Sequence, residues 1–243
     1  MNKKVVIDLG NTLAKAAIFQ EGKMHELQQF EATDPALIKW ITAHEPLQSG
    51  IISSVREIPD QLLELFNNKA GFLVLNHETP LPFRLAYNSP KSLGPDRIAL
   101  AATAFSRFPG KNVLVVDMGT CITYDFLRAD GVYIGGAISP GIFMRFKAMN
   151  QFTSKLPLAA PIDSAPLTAS DTISSLQSGV MHGVQAEIAG IIREYESIYE
   201  ELTVLIGGGD NKYFDKRFKV NIFADANLVI EGLNVIVDFN ESQ

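Results

Sequence analysis

Two segments of the sequence place an aspartate at the end of an apolar run and directly before a glycine turn. Residues 6–12 read Val-Ile-Asp-Leu-Gly-Asn-Thr, and residues 115–121 read Val-Val-Asp-Met-Gly-Thr-Cys. A turn of this composition exposes backbone N–H groups that can hold a phosphate. The aspartate can hold Mg²⁺ directly or through water, because Mg²⁺ keeps much of its hydration. The alternative for each segment is a tight hairpin in which the Asx side chains satisfy only the turn's own backbone.

The first of these turns carries further groups that favour phosphate binding. Thr12 supplies a hydroxyl donor and Lys15 supplies a cation, both close in sequence to Asp8. Donors and a positive charge gathered around one point neutralise a phosphate group. The phosphate-binding interpretation therefore covers the whole run from Asp8 to Lys15.

The two segments form an internal repeat. Asp8 and Asp117 occupy equivalent positions 109 residues apart, each between an apolar strand and a turn into a second strand. Such a repeat predicts two halves of the same topology, and the matched turns suggest a nucleotide bound between related halves. Residues 207–209 are three consecutive glycines that allow close backbone approach, although a plain glycine turn is the simpler interpretation there.

A third segment, Gly94-Pro95-Asp96-Arg97, joins a loop to a predicted helix. An aspartate beside a cation can act as general base on a hydroxyl of an anionic substrate, which is a recurrent part of phosphoryl transfer. Asp96 as a helix N-cap is the alternative, and local sequence physics does not decide between them. Residues 135–141, Gly-Gly-Ala-Ile-Ser-Pro-Gly, are a fourth candidate, because glycines after a strand allow a ligand or another backbone to approach.

The elements that must position these residues alternate between strand and helix, which indicates an α/β protein. Apolar runs predict strands at 4–9 and 113–116, and each is followed by a second strand, at 14–19 and 122–127. A helix is predicted at 96–105.

The rest of the chain predicts longer connections and one long helix. Residues 76–95 and 151–170 are rich in Pro and Ser and predict loops, whereas an apolar stripe predicts a helix at 184–202. We expect two domains, residues 1–110 and 111–243, with the boundary at the Phe108-Pro109-Gly110 turn.

The composition excludes several classes of protein. The chain has 243 residues, a formal charge of −6 and 47% hydrophobic residues, which is ordinary for a globular protein. It shows no basic stripe for nucleic acid, no run of roughly 18 apolar residues for a membrane helix and no secretion signal. The single cysteine, Cys121, excludes an intramolecular disulfide and a multi-cysteine metal site. We therefore expect a cytoplasmic protein that binds neither nucleic acid nor membrane.

Taken together, the segments at 8–15, 94–97, 117–120 and 135–141 resemble the type III pantothenate kinase family. Each segment alone is a weak signal, but all four in this order and spacing are specific, and the resemblance extends over nearly the whole chain. It implies two ribonuclease-H-like domains of the sugar kinase and actin superfamily, as duplicated halves. It also implies ATP-dependent phosphorylation of pantothenate at its 4′-hydroxyl, the first step of coenzyme A biosynthesis.

The resemblance also implies which residues bind the nucleotide and the ions. Thr120 would be one ATP contact, Asp8 would hold Mg²⁺ directly or through water, and Asp117 would hold a monovalent cation, potassium or ammonium. The remaining ATP contacts would come from the first turn and are Asp8, Leu9, Gly10, Asn11, Thr12, Leu13, Ala14 and Lys15.

For pantothenate, the resemblance implies that Asp96 is the general base on the hydroxyl. The pocket around it would be lined by Tyr87, Gly94, Pro95, Asp96 and Arg97. Thr172 matches a pantothenate contact that the partner subunit supplies in family dimers, so a homodimer with its active site at the interface is implied. Cys121 stands where the family more often has Ala, and we expect it to have a packing role.

Two other functions remain as alternatives. One is another small-molecule kinase of the same superfamily, which would share the duplicated aspartate turns but not Tyr87 with Gly94–Arg97. The other is a non-catalytic transcriptional regulator on this fold. The presence of Asp8, Lys15, Asp96 and Asp117 argues against a regulator, as does the lack of a basic patch.

Overall fold

The computed structural model describes residues 3–31, 34–66, 69–214, 222–224 and 226–243. The chain forms two compact units. Unit 1 comprises Met1–Gly110, Asp130–Ile134 and Asn227–Gln243, and unit 2 comprises Lys111–Ala129 and Gly135–Ala226. The last segment of the chain is thus grouped with the N-terminal part. The two domains expected at 1–110 and 111–243 stay a prediction.

Unit 1 is built on a five-stranded sheet. Its strands are β1 (Lys3–Leu9), β2 (Leu13–Gln20), β3 (Lys23–Glu31), β4 (Ser49–Ser54) and β5 (Phe72–Val74). They lie in the order β3-β2-β1-β4-β5, with β1 antiparallel to β2 and parallel to β4. The central strand is a continuous apolar run, Val5-Val6-Ile7, because both of its faces are buried.

The loop predicted at 76–95 contains two short elements that sequence analysis did not predict. A strand, β6 (Arg84–Leu85), and one turn of 3₁₀ helix (Pro90–Ser92) lie within it. A two-residue strand carries no periodicity, so only its pairing partner defines it. The predicted loop after residue 151 is confirmed, since residues 152–170 contain neither helix nor strand.

Unit 2 repeats the strand arrangement of unit 1. Its strands are β7 (Val113–Met118), β8 (Cys121–Leu127), β9 (Val132–Pro140), β10 (Thr203–Gly207) and β11 (Ile222–Ala224). Their order is β9-β8-β7-β10-β11, and β7 is antiparallel to β8 and parallel to β10. The start of β9 belongs to unit 1, where it pairs with β6. Since each strand of the first sheet has a counterpart in the second, the predicted duplicated α/β fold is confirmed.

Six α-helices connect or cover these strands in the described residues. They are α1 (Ala36–Ala43), α2 (Asp60–Phe66), α3 (Pro95–Arg107), α4 (Ile142–Gln151), α5 (Thr172–Ile198) and α6 (Leu228–Glu241). The predicted helix at 184–202 was wrong at both ends, because α5 begins twelve residues earlier and ends four earlier.

The early start of α5 has a tertiary cause. Glycine is a poor helix former, so Gly179 and Gly183 lower the helix propensity of the residues before 184. Leu176 and Val180 nevertheless pack in the core of unit 2, and the side chain of Asp171 caps the helix by accepting the Ser174 N–H at 2.9 Å. Core packing and the cap together outweigh the two glycines.

Helix α6 anchors α3 within unit 1. A Cβ on Gly232 would collide with the carbonyl of Ala99, so the two helices meet at backbone distance. The Thr103 hydroxyl donates a 2.6 Å hydrogen bond to the carbonyl of Leu228. This contact fixes α3, whose first turn contains Asp96.

No helix among the described residues combines the length and the apolar character needed to cross a membrane.

Candidate active site

Asp8 lies near the end of β1, on the face of the sheet opposite the core residues Ile7 and Leu9. The register pairs it with Lys15 of β2 on one side and with Ser53 of β4 on the other. The hydroxyl of Ser53, which is fully buried, donates a 3.3 Å hydrogen bond to Asp8 Oδ1. The carboxylate therefore has a cation and a hydroxyl as its cross-strand neighbours.

The acidity of Asp8 is strongly perturbed. Burial raises the pKa of its carboxyl to about 6, and the negative charge of Asp96 adds to the rise. The hydrogen bond from Ser53 and the charge of Lys15 act in the opposite direction. Two carboxylates that repel each other favour a cation beside them, since the cation stabilises both charges.

The turn after Asp8 is closed by the Gly10 N–H, which donates to the Leu13 carbonyl at 3.0 Å. A Cβ on Gly10 would lie 2.9 Å from that carbonyl oxygen, so the close turn requires glycine. Within the run predicted to bind ATP, Leu9 and Ala14 are buried and Asp8, Gly10 and Lys15 are partly buried, whereas Asn11, Thr12 and Leu13 are exposed. The tip of the turn is thus open to a ligand.

Asp96 lies in the first turn of α3, but it is not the N-cap. Gly94 is the N-cap and Pro95 is the first helical residue. The Asp96 carboxylate folds back over the helix start, where a Cβ on Gly94 would collide with Oδ1. There it accepts the Arg97 N–H at 2.9 Å. Burial raises the pKa of Asp96, and the Arg97 N–H and guanidinium partly offset the rise.

Tyr87 and Arg97 lie side by side in unit 1. The Arg97 guanidinium carbon is 6.0 Å from the centre of the Tyr87 ring, which is the range of a cation–π contact. Arg97 is 5% exposed, and the Tyr87 ring also lies 6.3 Å from that of Tyr133. Tyr87, Pro95 and Asp96 are partly buried. The pocket residues predicted in unit 1 therefore lie near one another.

The second aspartate turn has different neighbours. Asp117 pairs with Thr123 of β8 and with Gly207 of β10. Its turn closes through the Gly119 N–H, which donates to the Cys121 carbonyl at 2.9 Å. The residue opposite Asp117 is six positions along the chain, whereas Lys15 is seven positions after Asp8. The second turn is thus one residue shorter than the first.

The fourth sequence segment, 135–141, packs against the second turn. The Gly141 N–H donates to the Thr120 carbonyl at 3.2 Å, and a Cβ on Gly141 would collide with the carbonyls of Gly119 and Thr120. Arg145 holds the same segment, since its Nε donates to the Pro140 carbonyl at 2.9 Å. The side chain of Thr120 remains exposed.

Arg145 is itself fixed by Glu187 of α5. Arg145 Nη2 donates to Glu187 Oε2 at 2.5 Å and to Ser139 Oγ at 3.0 Å, and the Tyr124 hydroxyl donates to Glu187 Oε1 at 2.9 Å. Burial acts to raise the pKa of Glu187, but the hydrogen bonds from Arg145, Ser139 and Tyr124 hold it below its usual value. This network holds the segment 135–141 in place, and that segment packs against the second turn.

The glycine run at 207–209 also supports the second turn. Gly208 has a φ of +89°, and a Cβ there would collide with the Met118 backbone. The Asp210 N–H donates to the Met118 carbonyl at 3.0 Å. This close packing on the end of β7 accounts for Gly208 without a ligand.

Thr172 is the exposed first residue of α5. It lines a cavity of about 540 Å³ in unit 2, together with Met149, Leu156, Ser175 and Gly179. Thr172 therefore lies at the rim of a cavity, in a different unit from the residues around Asp96.

Ser53 was not predicted from the sequence. The apolar run Ile51-Ile52 indicates a strand that reaches Ser53, but only the parallel pairing of β4 with β1 places Ser53 beside Asp8. Ligands of open α/β sheets bind beyond the carboxyl ends of parallel strands. Within the described residues, no group of three or more His, Cys, Asp or Glu side chains could hold a metal ion.

Comparison with known proteins identifies the family. The sequence profile of the type III pantothenate kinase family matches residues 4–194. The chain belongs to the type III pantothenate kinase family. A relative named type III pantothenate kinase from Christiangramia forsetii is 42% identical over 244 residues, covering 98% of this chain and 99% of the relative. Another of that name, from Phocaeicola vulgatus, is 41% identical over 240 residues, covering 98% of each.

Solved structures show the fold shared by this pantothenate kinase family member and sugar kinases. A ROK family glucokinase from Streptomyces griseus, solved with glucose and AMPPNP, superposes with a TM-score of 0.56 at 12% identity over 100% of both chains. A structure described as a putative Baf family transcriptional activator from Campylobacter jejuni gives a TM-score of 0.63 at 21% identity over 98% of this chain and 100% of that one. At these identities the likeness shows the fold alone. It confirms the predicted sugar kinase fold.

Proposed function

We propose that the chain transfers the γ-phosphoryl group of ATP to the 4′-hydroxyl of pantothenate, with Asp96 as the general base. Membership of the type III pantothenate kinase family carries the overall reaction. The observation that supports the role of Asp96 is its partly buried carboxylate, held over Gly94 with a raised pKa. A carboxylate with a raised pKa is a stronger proton acceptor, and the start of a helix favours its ionised form.

The reaction then needs one proton transfer and one displacement. The Asp96 carboxylate accepts the proton of the pantothenate hydroxyl while the hydroxyl oxygen attacks the γ-phosphorus. The bond between the γ-phosphorus and the bridging oxygen of ADP breaks, and 4′-phosphopantothenate and ADP leave. Protonated Asp96 returns its proton to water. Positioning and charge neutralisation supply most of the rate in such transfers.

The nucleotide is bound by the turn at 8–15 and by Thr120. The open tip of that turn supports this role, as does the cation Lys15 opposite Asp8. Asp8 holds Mg²⁺ directly or through water, which fits a carboxylate whose pKa is raised partly by a second negative charge. Bound Mg²⁺ neutralises charge on the phosphate oxygens during transfer.

Pantothenate is bound next to the base. Arg97 supplies positive charge for this anionic substrate, and Tyr87 packs its ring beside the guanidinium. Gly94 and Pro95 leave the helix start accessible to the hydroxyl.

Asp117 holds the monovalent cation, potassium or ammonium.

The active enzyme is a homodimer in which Thr172 contacts pantothenate in the partner's site. The exposed position of Thr172 on the rim of a cavity supports this arrangement. We also propose a cytoplasmic location, because ATP is a cytoplasmic metabolite.

The first experiment is an assay of ATP turnover with pantothenate, with potassium, ammonium or sodium as the only monovalent cation. We expect pantothenate-dependent ADP release that needs potassium or ammonium. If turnover is equally fast with sodium as the only monovalent cation, the proposed cation requirement is wrong, but the kinase activity is supported. The absence of pantothenate-dependent turnover in all three salts would overturn the proposed function.

The shared site is tested by mixing two variants. Asp96→Asn lacks the base in its own site, and Thr172→Ala lacks the contact to its partner's site. In a mixed dimer one of the two sites has both groups intact, so an equal mixture should recover about a quarter of the wild-type rate. Light scattering checks that dimers form. A mixture no faster than the two variants apart would contradict an active site at the interface.

A further inference from the structure

One face of the sheet in unit 2 carries both Asp117 and Thr123. The alternate residues of β7 and β8 that pack in the core of unit 2 are Leu114, Val116, Met118, Ile122, Tyr124 and Phe126. Because side chains alternate along a strand, Asp117 and Thr123 lie on the opposite face. They are direct cross-strand partners. Their Cβ atoms are therefore about 4.5–5.5 Å apart.

Thr123 carries an unusual hydroxyl. The residue is 9% exposed, and its Oγ1 is buried without a hydrogen bond to any of the described residues. Buried hydroxyl groups are nearly always hydrogen-bonded, because desolvation without a partner costs free energy. A ligand bound beside the carboxylate would supply the partner that this hydroxyl lacks.

The equivalent position in unit 1 indicates what that ligand is. There the residue opposite the aspartate is Lys15, whose ammonium group is a built-in cation near Asp8. In unit 2 the lysine is replaced by a threonine, which brings an oxygen ligand instead of a charge. One carboxylate and one hydroxyl match a single positive charge that accepts oxygen ligands.

We infer that Thr123 Oγ1 is a direct ligand, together with the Asp117 carboxylate, of the monovalent cation. Potassium takes the hydroxyl oxygen as a ligand, and ammonium donates a hydrogen bond to it. The inference rests on the proposal above that Asp117 holds this cation. In the first turn the positive charge beside the aspartate is the ammonium group of Lys15. In the second turn an exchangeable cation, held by Thr123 and Asp117, would supply that charge.

The test measures cation binding through stability rather than through turnover. The midpoint of thermal unfolding is followed as potassium chloride replaces tetramethylammonium chloride at constant ionic strength, and the series is repeated with ammonium chloride. Binding to the folded state raises the midpoint as the cation concentration passes its dissociation constant. We expect a saturable rise for the wild-type chain and none for Asp117→Asn.

Three variants at Thr123 separate the hydroxyl from the packing. Thr123→Val keeps the shape and removes the oxygen, and we expect it to need at least about tenfold more cation for the same rise. Thr123→Ser keeps the oxygen and should stay within about twofold of the wild type. Thr123→Ala removes the oxygen with less bulk, and it replaces the valine variant if that chain does not fold. The exposed Thr168→Val controls for a general effect of the substitution.

The outcomes separate this inference from the proposal on which it depends. If Asp117→Asn loses the response and the variants without the hydroxyl keep the wild-type response, Thr123 is not a ligand and Asp117 still is. If Asp117→Asn responds like the wild type, or the wild-type chain does not respond to either cation, the cation site itself is overturned.

Discussion

The two aspartate turns are built on matching strands, yet the residues that face the two carboxylates differ. Asp8 lies between Lys15 and Ser53, whereas Asp117 lies between Thr123 and Gly207. The duplication fixed where each carboxylate lies, because both aspartates are next to last in the central strand of a sheet of the same order. The cross-strand neighbours then determined the charge that each turn offers to a ligand.

The two turns also differ in how they are held. The first is one residue longer and exposes Asn11 and Thr12 at its tip. The second is braced by the backbone at Gly141 and Gly208, at positions where a Cβ would collide with the turn or with the end of β7. An open turn suits a phosphate that must enter and leave, whereas a braced turn suits a site whose geometry must stay fixed. Equivalent positions in a duplicated fold therefore do not imply equivalent roles.

We expect the largest effect from a substitution in unit 1 that removes the proposed proton acceptor, Asp96. Asp96→Asn removes the proton acceptor but keeps the shape of the side chain, so we expect kcat to fall by about 10²–10⁴-fold. The dissociation constant of Mg·ATP should change little, because Asp96 does not contact the phosphates in the proposed mechanism. Steady-state kinetics and titration calorimetry measure the two quantities.

Asp60→Asn is the matched control, since Asp60 is an exposed acidic residue in the first turn of α2. It should retain the wild-type kcat. Near-normal turnover of Asp96→Asn would show that Asp96 is not the general base.

The next effect tests the difference between Lys15 and Thr123 directly. Lys15→Thr gives the first turn the side chain that the second turn has at this position. Loss of a hydrogen bond to a charged group costs about 1.5–3 kcal/mol, so the KM for ATP should rise about 10- to 100-fold. The KM for pantothenate should stay near its wild-type value.

Lys23→Thr, at the exposed start of β3, controls for the loss of one positive charge. An unchanged KM for ATP in Lys15→Thr would mean that Lys15 does not contact the phosphates, and the contrast between the turns would lose its functional meaning.

A smaller effect is expected from Gly94→Ala. The backbone at Gly94 suits any residue, with φ −58° and ψ 132°, so the change adds no backbone strain. The new methyl group would instead displace the Asp96 carboxylate. Because small displacements of a catalytic group are costly, we expect kcat to fall about tenfold while the fold is retained.

Gly183→Ala serves as the control, since a Cβ there meets no atom within 4 Å. It should leave kcat unchanged and stabilise α5 slightly, by about 0.5–1 kcal/mol. If Gly94→Ala retained the full kcat with a normal thermal midpoint, the position of Asp96 over Gly94 would not matter for turnover.

The smallest expected effect concerns pH. The pKa of Asp8 is raised to about 6, so Mg·ATP binding should weaken as the pH falls through about 6 and the carboxylate takes up a proton. Asp96→Asn removes one of the two causes of the rise, so the midpoint of this binding loss should move to lower pH in that variant. Calorimetric titrations of Mg·ATP across the pH range measure both midpoints, and equal midpoints would mean that the two carboxylates do not interact.

The same shift has a consequence for stability. The folded state holds the proton of Asp8 more tightly than the unfolded state does. The contribution of this group to stability therefore falls as the pH rises from the usual aspartate value to about 6. Binding of Mg²⁺ should offset that loss, because it favours the ionised form.

Sequence patterns determined much of the fold and of the candidate site. The repeat around Asp8 and Asp117 predicted two halves of the same topology, because an apolar run followed by a glycine turn is a local signal. The four motifs together identified the family. The helix at Asp96 was also predicted within a few residues, at 96–105 against the observed Pro95–Arg107.

Tertiary structure decided the rest. The start of α5 at Thr172 depends on core contacts that outweigh two glycines, and no local pattern records that balance. Ser53 and Thr123 became candidates only when strand register set them beside Asp8 and Asp117. The need for glycine at position 94 became clear only from the Asp96 carboxylate that folds over it. The sequence by itself determined which chemical groups the protein has and the order of its elements. The neighbours of each group depended on pairing between distant segments, which only the folded chain brings together.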